Sequence, residues 1–423
     1  MSRFIYDRYI YDAESSTVHF YYSFEDGRTF EETILFESAH QYDSRVLEKA
    51  LFLAFMLVGV SYYKLFPSVD VVLNKPLDDW QAAFFSRVYQ EGLGQFAYEN
   101  ELTRDDLVHF KSTSDVASEG AVPYSGSGLL VLQSGGKDSL LVAQLLKEKN
   151  VSYIPWYVAS GSSHPAVLDD EMFPLIKARR HIDFENLKNA IEAGGKNGHV
   201  PITYIVQGLA VIQAILLAKS DILVSIAHEG EEPHHDIGDL TVTHQWSKTW
   251  QAEQDFAAYV RRYISGDIRI GSPLRGLSEL SVAVQFVEHA WDVYGHKFSS
   301  CNVANYQQGG DNTTLQWCGN CPKCANSYLL FAPFVESSTL KSLFNGQDLY
   351  EKPSLTRTFK GLLAIDGESK PFECIGEVDE LRLGYHASQK KGGYGSLPFS
   401  VPNSDFDYLK MYPAQDWAVK MLQ

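Results

Sequence analysis

Three aromatic-rich runs open the chain, at residues 4–11, 17–24 and 29–36, and read as strands. Between the second and third lies Asp26-Gly27, a pair that favours a tight hairpin turn. The spacing then changes. Leu47, Leu51, Ala54 and Val58 recur at helical intervals, with Asp43 or Ser44 placed to cap the first turn. A short strand at Val69–Leu73 and an amphipathic helix at Asp78–Glu91 complete an α+β unit over residues 1–111. The stretch 112–128 is rich in Ser, Gly and Pro and marks a linker. Beyond it, apolar strands and helices alternate. Leu129–Gln133 reads as strand, Ser139–Lys149 as helix, Ser152–Val158 as strand, Tyr204–Lys219 as helix and Ile222–Ala227 as strand. Such alternation predicts an α/β fold, a doubly wound parallel sheet covered on both faces.

Composition narrows the function classes. With 423 residues the chain is too long for one core, and 45% hydrophobic against 21% charged residues is ordinary for a globular protein. A net charge of −17 argues against a nucleic-acid partner, which needs clustered Lys and Arg. The N-terminus lacks the layout of a signal peptide. The most apolar run, Ala50–Val60, is shorter than the ~20 residues of a membrane helix and reads as a buried helix. These features predict a cytoplasmic protein with no membrane partner. Five cysteines, three of them crowded together, then suggest metal ligands rather than disulfides.

The strongest chemical signal is Ser134-Gly135-Gly136-Lys137-Asp138-Ser139, at the end of a buried strand and the start of a helix. Gly135 and Gly136 let the backbone turn sharply and approach a ligand. Their amides join those of the helix N-terminus, where the dipole favours an anion. Ser134 and Ser139 add hydroxyls, Lys137 a positive charge, and Asp138 a ligand for Mg²⁺ on phosphate oxygens. A Walker loop would require glycine where Val131 stands. The six residues match the signature of the N-type ATP pyrophosphatases. That resemblance implies an adenine-nucleotide-hydrolase-like domain, over residues 129–337, which cleaves ATP to AMP and pyrophosphate. In a doubly wound fold the ligand lies at the carboxyl ends of the strands.

Cys318-Gly-Asn-Cys321-Pro-Lys-Cys324 sets three thiols at two-residue spacing, and Cys301 stands seventeen residues upstream. Four thiolates suit a closed structural Zn²⁺ site, with an iron–sulfur cluster as the alternative. Cys374 stands alone and reads as a core cysteine. Polar loops fall where strands should end, at residues 160–165, 197–201, 227–232, 243–248 and 271–275. They offer His199, Glu229, His244 and Lys248 as acid–base candidates. His244 and Lys248 share one face if a helix begins early enough, and suit an anionic group. Arg275 is a candidate for binding a carboxylate.

The order of these segments resembles one family, the UDP-N-acetyl-α-D-muramoyl-L-alanyl-L-glutamate epimerases of bacterial peptidoglycan synthesis. The likeness rests on Leu-Gln-Ser-Gly-Gly-Lys-Asp-Ser at 132–139, Asn-Gly-His-Val-Pro at 197–201 and His-Gln-Trp-Ser-Lys at 244–248. It continues in Ser-Pro-Leu-Arg-Gly-Leu-Ser-Glu at 272–279 and Trp-Cys-Gly-Asn-Cys-Pro-Lys-Cys at 317–324. The resemblance implies ATP-dependent inversion of the terminal L-Glu of a nucleotide-sugar dipeptide, through a carboxyl-adenylate. Two other readings compete. Deazaguanine nitrile synthases and tRNA-modifying pyrophosphatases pair a similar loop with clustered cysteines, although here a long N-terminal region precedes the loop. A nucleotide-binding sensor without catalysis is the third. The region 338–423 is expected to serve substrate binding or oligomerisation, and the sequence does not choose between them.

Overall fold

Side-chain burial in strands β2 (Thr17–Phe24) and β3 (Thr29–Phe36) alternates residue by residue, as the period of a half-buried strand requires. They pair antiparallel with each other, and β2 pairs antiparallel with β1 (Phe4–Asp12). Gly27, at φ 93°, makes the turn between β2 and β3, in a conformation that suits glycine. The computed structural model describes residues 2–37, 42–113, 119–307 and 313–423. Within it the remaining strands are β4 (Val71–Leu73), β5 (Leu129–Leu132), β6 (Ile154–Ala159), β7 (Ile176–His181) and β8 (Asp221–Leu223), then β9 (His235–Ile237), β10 (Leu240–Val242) and β11 (Arg269–Gly271). β9 and β10 form a small hairpin, and the other nine make one sheet in the order β11-β8-β5-β6-β7-β3-β2-β1-β4.

From β11 to β7 every pairing is parallel. The chain steps from β5 to β6 to β7 in one direction, then returns to place β8 on the other side of β5. β5 is therefore the topological switch point, where a crevice opens above the strand ends. This is the α/β architecture expected, with one addition. β3 pairs antiparallel with β7, Thr33 opposite His181 and Phe36 opposite Ala178, so the N-terminal strands extend the parallel half. Residues 114–118 of the predicted linker lie outside the described residues.

Two cores form, one on each face, because neighbouring residues of a strand point opposite ways. Leu130 belongs to one core, with helices Ser44–Val58, Asp79–Gln90 and Ile202–Leu216. Leu129 and Val131 belong to the other, with helices Lys137–Glu148, Pro322–Phe331 and Val378–Lys391. Asp43 caps the Ser44–Val58 helix by accepting from the Arg45 amide, and Asp78 forms a capping box with Gln81. The apolar stretch Ser44–Tyr63 is long enough to cross a membrane, but 89% of its most apolar window is buried within the fold. It is the buried helix that its pattern predicts. The C-terminal region also packs into the second core, through Phe359, Leu362, Leu381 and Tyr385.

The seam between β3 and β7 carries a buried ion pair. Arg180 Nε lies 2.6 Å from Glu32 Oε1, with Glu32 wholly buried, and the Tyr62 hydroxyl donates to Glu32 Oε2 at 2.8 Å. Removing one partner strands a charge in a medium that cannot solvate it. Glu32→Ala is expected to lower the unfolding free energy by about 3–5 kcal/mol, measured by chemical denaturation. Adding Arg180→Met should recover part of that loss, and an unchanged midpoint for Glu32→Ala would show that the seam does not depend on this pair.

Candidate functional site

The loop after β5 has the shape that its residues predict. Gly135 takes φ 80°, and a Cβ there would come within 2.6 Å of the Leu315 side chain. Gly136 then caps the Lys137–Glu148 helix without any side-chain hydrogen bond to its first amides. The helix starts two residues earlier than the apolar pattern suggests, so Lys137 and Asp138 sit in its first turn. Ser139 Oγ accepts from the Ser134 amide at 3.1 Å and lies 3.1 Å from Ser134 Oγ, which ties the loop back on the helix. The result is a helix N-terminus at the switch point with backbone donors facing out, suited to an anion.

Lys137 does not project into solvent. Its ammonium is held 2.7 Å from Asp138 Oδ1 and 2.6 Å from Glu279 Oε2, with Lys137 and Glu279 side chains both 7% exposed. Burial works against the lysine's charge, but the two carboxylates outweigh it and hold its pKa above the ordinary value. Glu279 is pushed up to about 7 by burial, with Asp138 and Glu229 adding to the shift and Lys137 opposing it. Its Oε1 is buried without a hydrogen-bond partner. Glu380, which accepts from the Leu280 amide at 3.1 Å, is raised to about 8 by burial and by Glu279.

A narrow cleft beside this cluster is lined by Glu229, His244, Lys248, Glu373, Cys374 and other polar residues. Lys248 Nζ lies 3.3 Å from both oxygens of Glu229 and 3.4 Å from Cys374 Sγ. Burial depresses the lysine's charge, yet its anionic neighbours hold its pKa above the usual range. Burial tends to raise Glu229, but Lys248 outweighs it and holds Glu229 below the ordinary carboxylate value. His244 stacks at a tilt 5.1 Å from His199, ring to ring. Burial pushes His244 down to about 2 and His199 to about 4, so both rings are neutral. His199 itself faces a larger cavity, of about 720 Å³, lined also by Lys64, Arg180, Lys188 and Asn197.

Three expectations change here. His244 and Lys248 are not on one helix, because Thr249 caps the next helix and the helix begins at Trp250. Trp246–Lys248 is a single 3₁₀ turn, and this turn still brings both side chains to the cleft. Arg275 is fully buried behind the site and does not line the cleft. Its Nε bonds Glu253 at 2.8 Å and its Nη1 donates to the Ala227 carbonyl at 2.8 Å, which braces the loop carrying Glu229. Cys374, expected in a core, instead lines the cleft. Neither it nor Glu279 stood out in the sequence, because each is a lone residue whose neighbours are distant along the chain.

The four other cysteines come together. Their sulfur atoms lie within 4.8 Å of one another, with Cys321 3.6 Å from Cys301 and 3.5 Å from Cys324, and Cys318 3.8 Å from Cys324. Tetrahedral bonds of ~2.3 Å to one zinc ion place sulfurs about 3.8 Å apart, so the spacing fits a single ion. The amides of Ala304 and Asn320 donate to Cys301 and Cys318 sulfur at 3.4 Å each, support of the kind a thiolate needs. The segment reaches the site at two points. The Ser299 amide donates to the Gly135 carbonyl at 3.4 Å, and Lys323 Nζ donates to the Cys374 carbonyl at 2.5 Å.

The family model described as the MurL N-terminal domain matches residues 1–272, and the one described as the MurL C-terminal domain matches residues 297–395. A protein of Xanthomonas oryzae pv. oryzae named UDP-N-acetyl-alpha-D-muramoyl-L-alanyl-L-glutamate epimerase is 32% identical over 90% of this chain and 84% of its own length. Proteins of the same name from Micromonospora sp. and Salinispora tropica are 33% and 30% identical, covering 79% and 94% of this chain and 73% and 87% of their own. With both family domains present in order and relatives matched along most of their length, this chain belongs to the MurL family of UDP-N-acetyl-α-D-muramoyl-L-alanyl-L-glutamate epimerases.

Proposed function

We propose that the protein converts the terminal L-Glu of UDP-MurNAc-L-Ala-L-Glu to D-Glu, using ATP to adenylate the glutamate carboxylate and releasing AMP and pyrophosphate. The observation that carries the ATP-dependent part is the uncapped helix N-terminus at Gly136, placed at the switch point of the sheet. The names of the relatives support the substrate.

An α-proton beside an ionised carboxylate is hard to remove, since deprotonation piles negative charge on negative charge. Adenylation cancels the carboxylate charge and turns the carbonyl into an electron sink. Amides of the loop Ser134–Lys137 and the Ser134 and Ser139 hydroxyls would hold the ATP phosphates, and the charged Lys137 would offset their negative field. Asp138, with a carboxylate at the loop, would hold Mg²⁺, which when bound neutralises the leaving pyrophosphate. His199, His244, Lys248 and Glu229 are candidates, in or beside the cleft, to carry a proton. Cys301, Cys318, Cys321 and Cys324 would hold a structural Zn²⁺ that fixes the wall behind Gly135 and Cys374.

Two outcomes are expected. Incubated with Mg-ATP and UDP-MurNAc-L-Ala-L-Glu, the protein should release AMP and yield D-Glu in equal amounts, read by nucleotide chromatography and chiral analysis. AMP without inversion would leave adenylation but remove the epimerase reading. Elemental analysis should find one zinc per chain, and Cys324→Ser should lose it together with most thermal stability, since a structural zinc contributes about 10 kcal/mol or more to folding. Iron with visible absorption would replace the zinc assignment.

A further inference from the structure

Inversion at a carbon takes a proton from one face and delivers another to the opposite face, which two positioned proton carriers can do. Among the cleft residues one pair meets that need, and it involves Cys374, a residue absent from the candidates above. Cys374 is partly exposed into the cleft, and its sulfur is 3.4 Å from the Lys248 ammonium. Its backbone is fixed by Lys323, which donates to the Cys374 carbonyl. Burial holds the thiol above its ordinary range, with Lys248 opposing, so the sulfur carries a proton at neutral pH. When that proton leaves, the resulting thiolate already has an ammonium beside it.

His244 is set up in the complementary state. Gln95 Nε2 donates to Glu99 Oε1 at 2.7 Å, which fixes the amide so that Gln95 Oε1 faces the imidazole. That oxygen can only accept, and it lies 2.7 Å from His244 Nδ1. Nδ1 therefore carries the ring proton, and Nε2 keeps a lone pair. Burial keeps the free ring neutral. A protonated thiol and an unprotonated imidazole nitrogen thus line one cleft.

We propose that the Cys374 thiol and His244 Nε2 are the two proton carriers of the inversion, acting on opposite faces of the substrate's α-carbon, with Lys248 as the positioning charge for the sulfur. This rests on the epimerase reading above. In one direction the α-C–H bond breaks, its proton goes to His244 Nε2, and its electron pair moves onto the oxygen of the adenylated carbonyl. The enolate then collapses as the Cys374 S–H bond breaks. Its proton joins the α-carbon on the other face, and the pair stays on sulfur as thiolate. Solvent carries a proton from imidazolium to thiolate and restores the start. The reverse direction exchanges the roles. Glu229, bonded to Lys248 through both oxygens, keeps that ammonium charged through the cycle.

The test follows solvent deuterium into each epimer of UDP-MurNAc-L-Ala-Glu in the full-length protein, with AMP release measured alongside. Cys374→Ala and His244→Gln should each lower inversion on the order of 10²- to 10⁴-fold. Each should still release AMP and still exchange the α-proton of one epimer with retention, and the epimer should be the opposite one in the two variants. AMP release also shows that each variant is folded. Inversion at the wild-type rate in Cys374→Ala overturns the proposal. So does loss of exchange into both epimers in that variant, which would make Cys374 a positioning residue. Wild-type protein that neither makes AMP nor inverts this substrate would instead remove the epimerase reading itself.

Discussion

An ammonium with almost no access to water must keep carboxylates beside it, and the architecture of the site follows from where Lys137 finds them. Asp138 is its neighbour in the chain, whereas Glu279 comes from a helix on the far side of β11 in sequence. The pair locks the start of the Lys137–Glu148 helix to the start of Glu279–Gln285. Breaking a buried pair on one side costs about 3–5 kcal/mol, so the loop after β5 cannot drift from this anchor cheaply. Glu380 extends the connection by accepting from the Leu280 amide, which binds the C-terminal helix to the same point. A site made of charges is thus held by charges.

The C-terminal region earns its place through the same logic. Glu232, in the loop after β8, pairs with Lys370 and accepts from the Val378 amide at 3.2 Å, and Lys323 holds the Cys374 carbonyl. These contacts lay the segment 370–378 over the strand ends, so it closes the cleft with Cys374 and Glu373. The cysteine cluster is the other brace. Ser299 and Lys323, beside its cysteines, donate to the Gly135 and Cys374 carbonyls.

Much of this was legible from the residues alone. The alternation in β2 and β3, the apolar strand β5 and the Ser-Gly-Gly-Lys-Asp-Ser loop announce themselves, because their signals are local. β7 did not, for Ile-Lys-Ala-Arg-Arg-His has neither alternation nor an apolar run. It is a strand because Glu32 and Glu37 of the neighbouring segment meet its arginines, a long-range match that no window contains. Cys374 escaped for the same reason, since only folding brings it to Lys248. Arg275 erred in the other direction. It sits beside the right loop, but Glu253 takes its guanidinium into the interior.

The proposed inversion passes through a mixed anhydride between the glutamate carboxylate and AMP, and oxygen isotopes report on that bond directly. Substrate with ¹⁸O in the α-carboxylate of its terminal glutamate should pass one ¹⁸O to AMP during turnover, detected by mass spectrometry. The bridging oxygen stays with phosphorus when water opens the acyl-adenylate at carbon. Inverted product accompanied by AMP that carries no ¹⁸O would contradict the adenylate and the chemistry built on it.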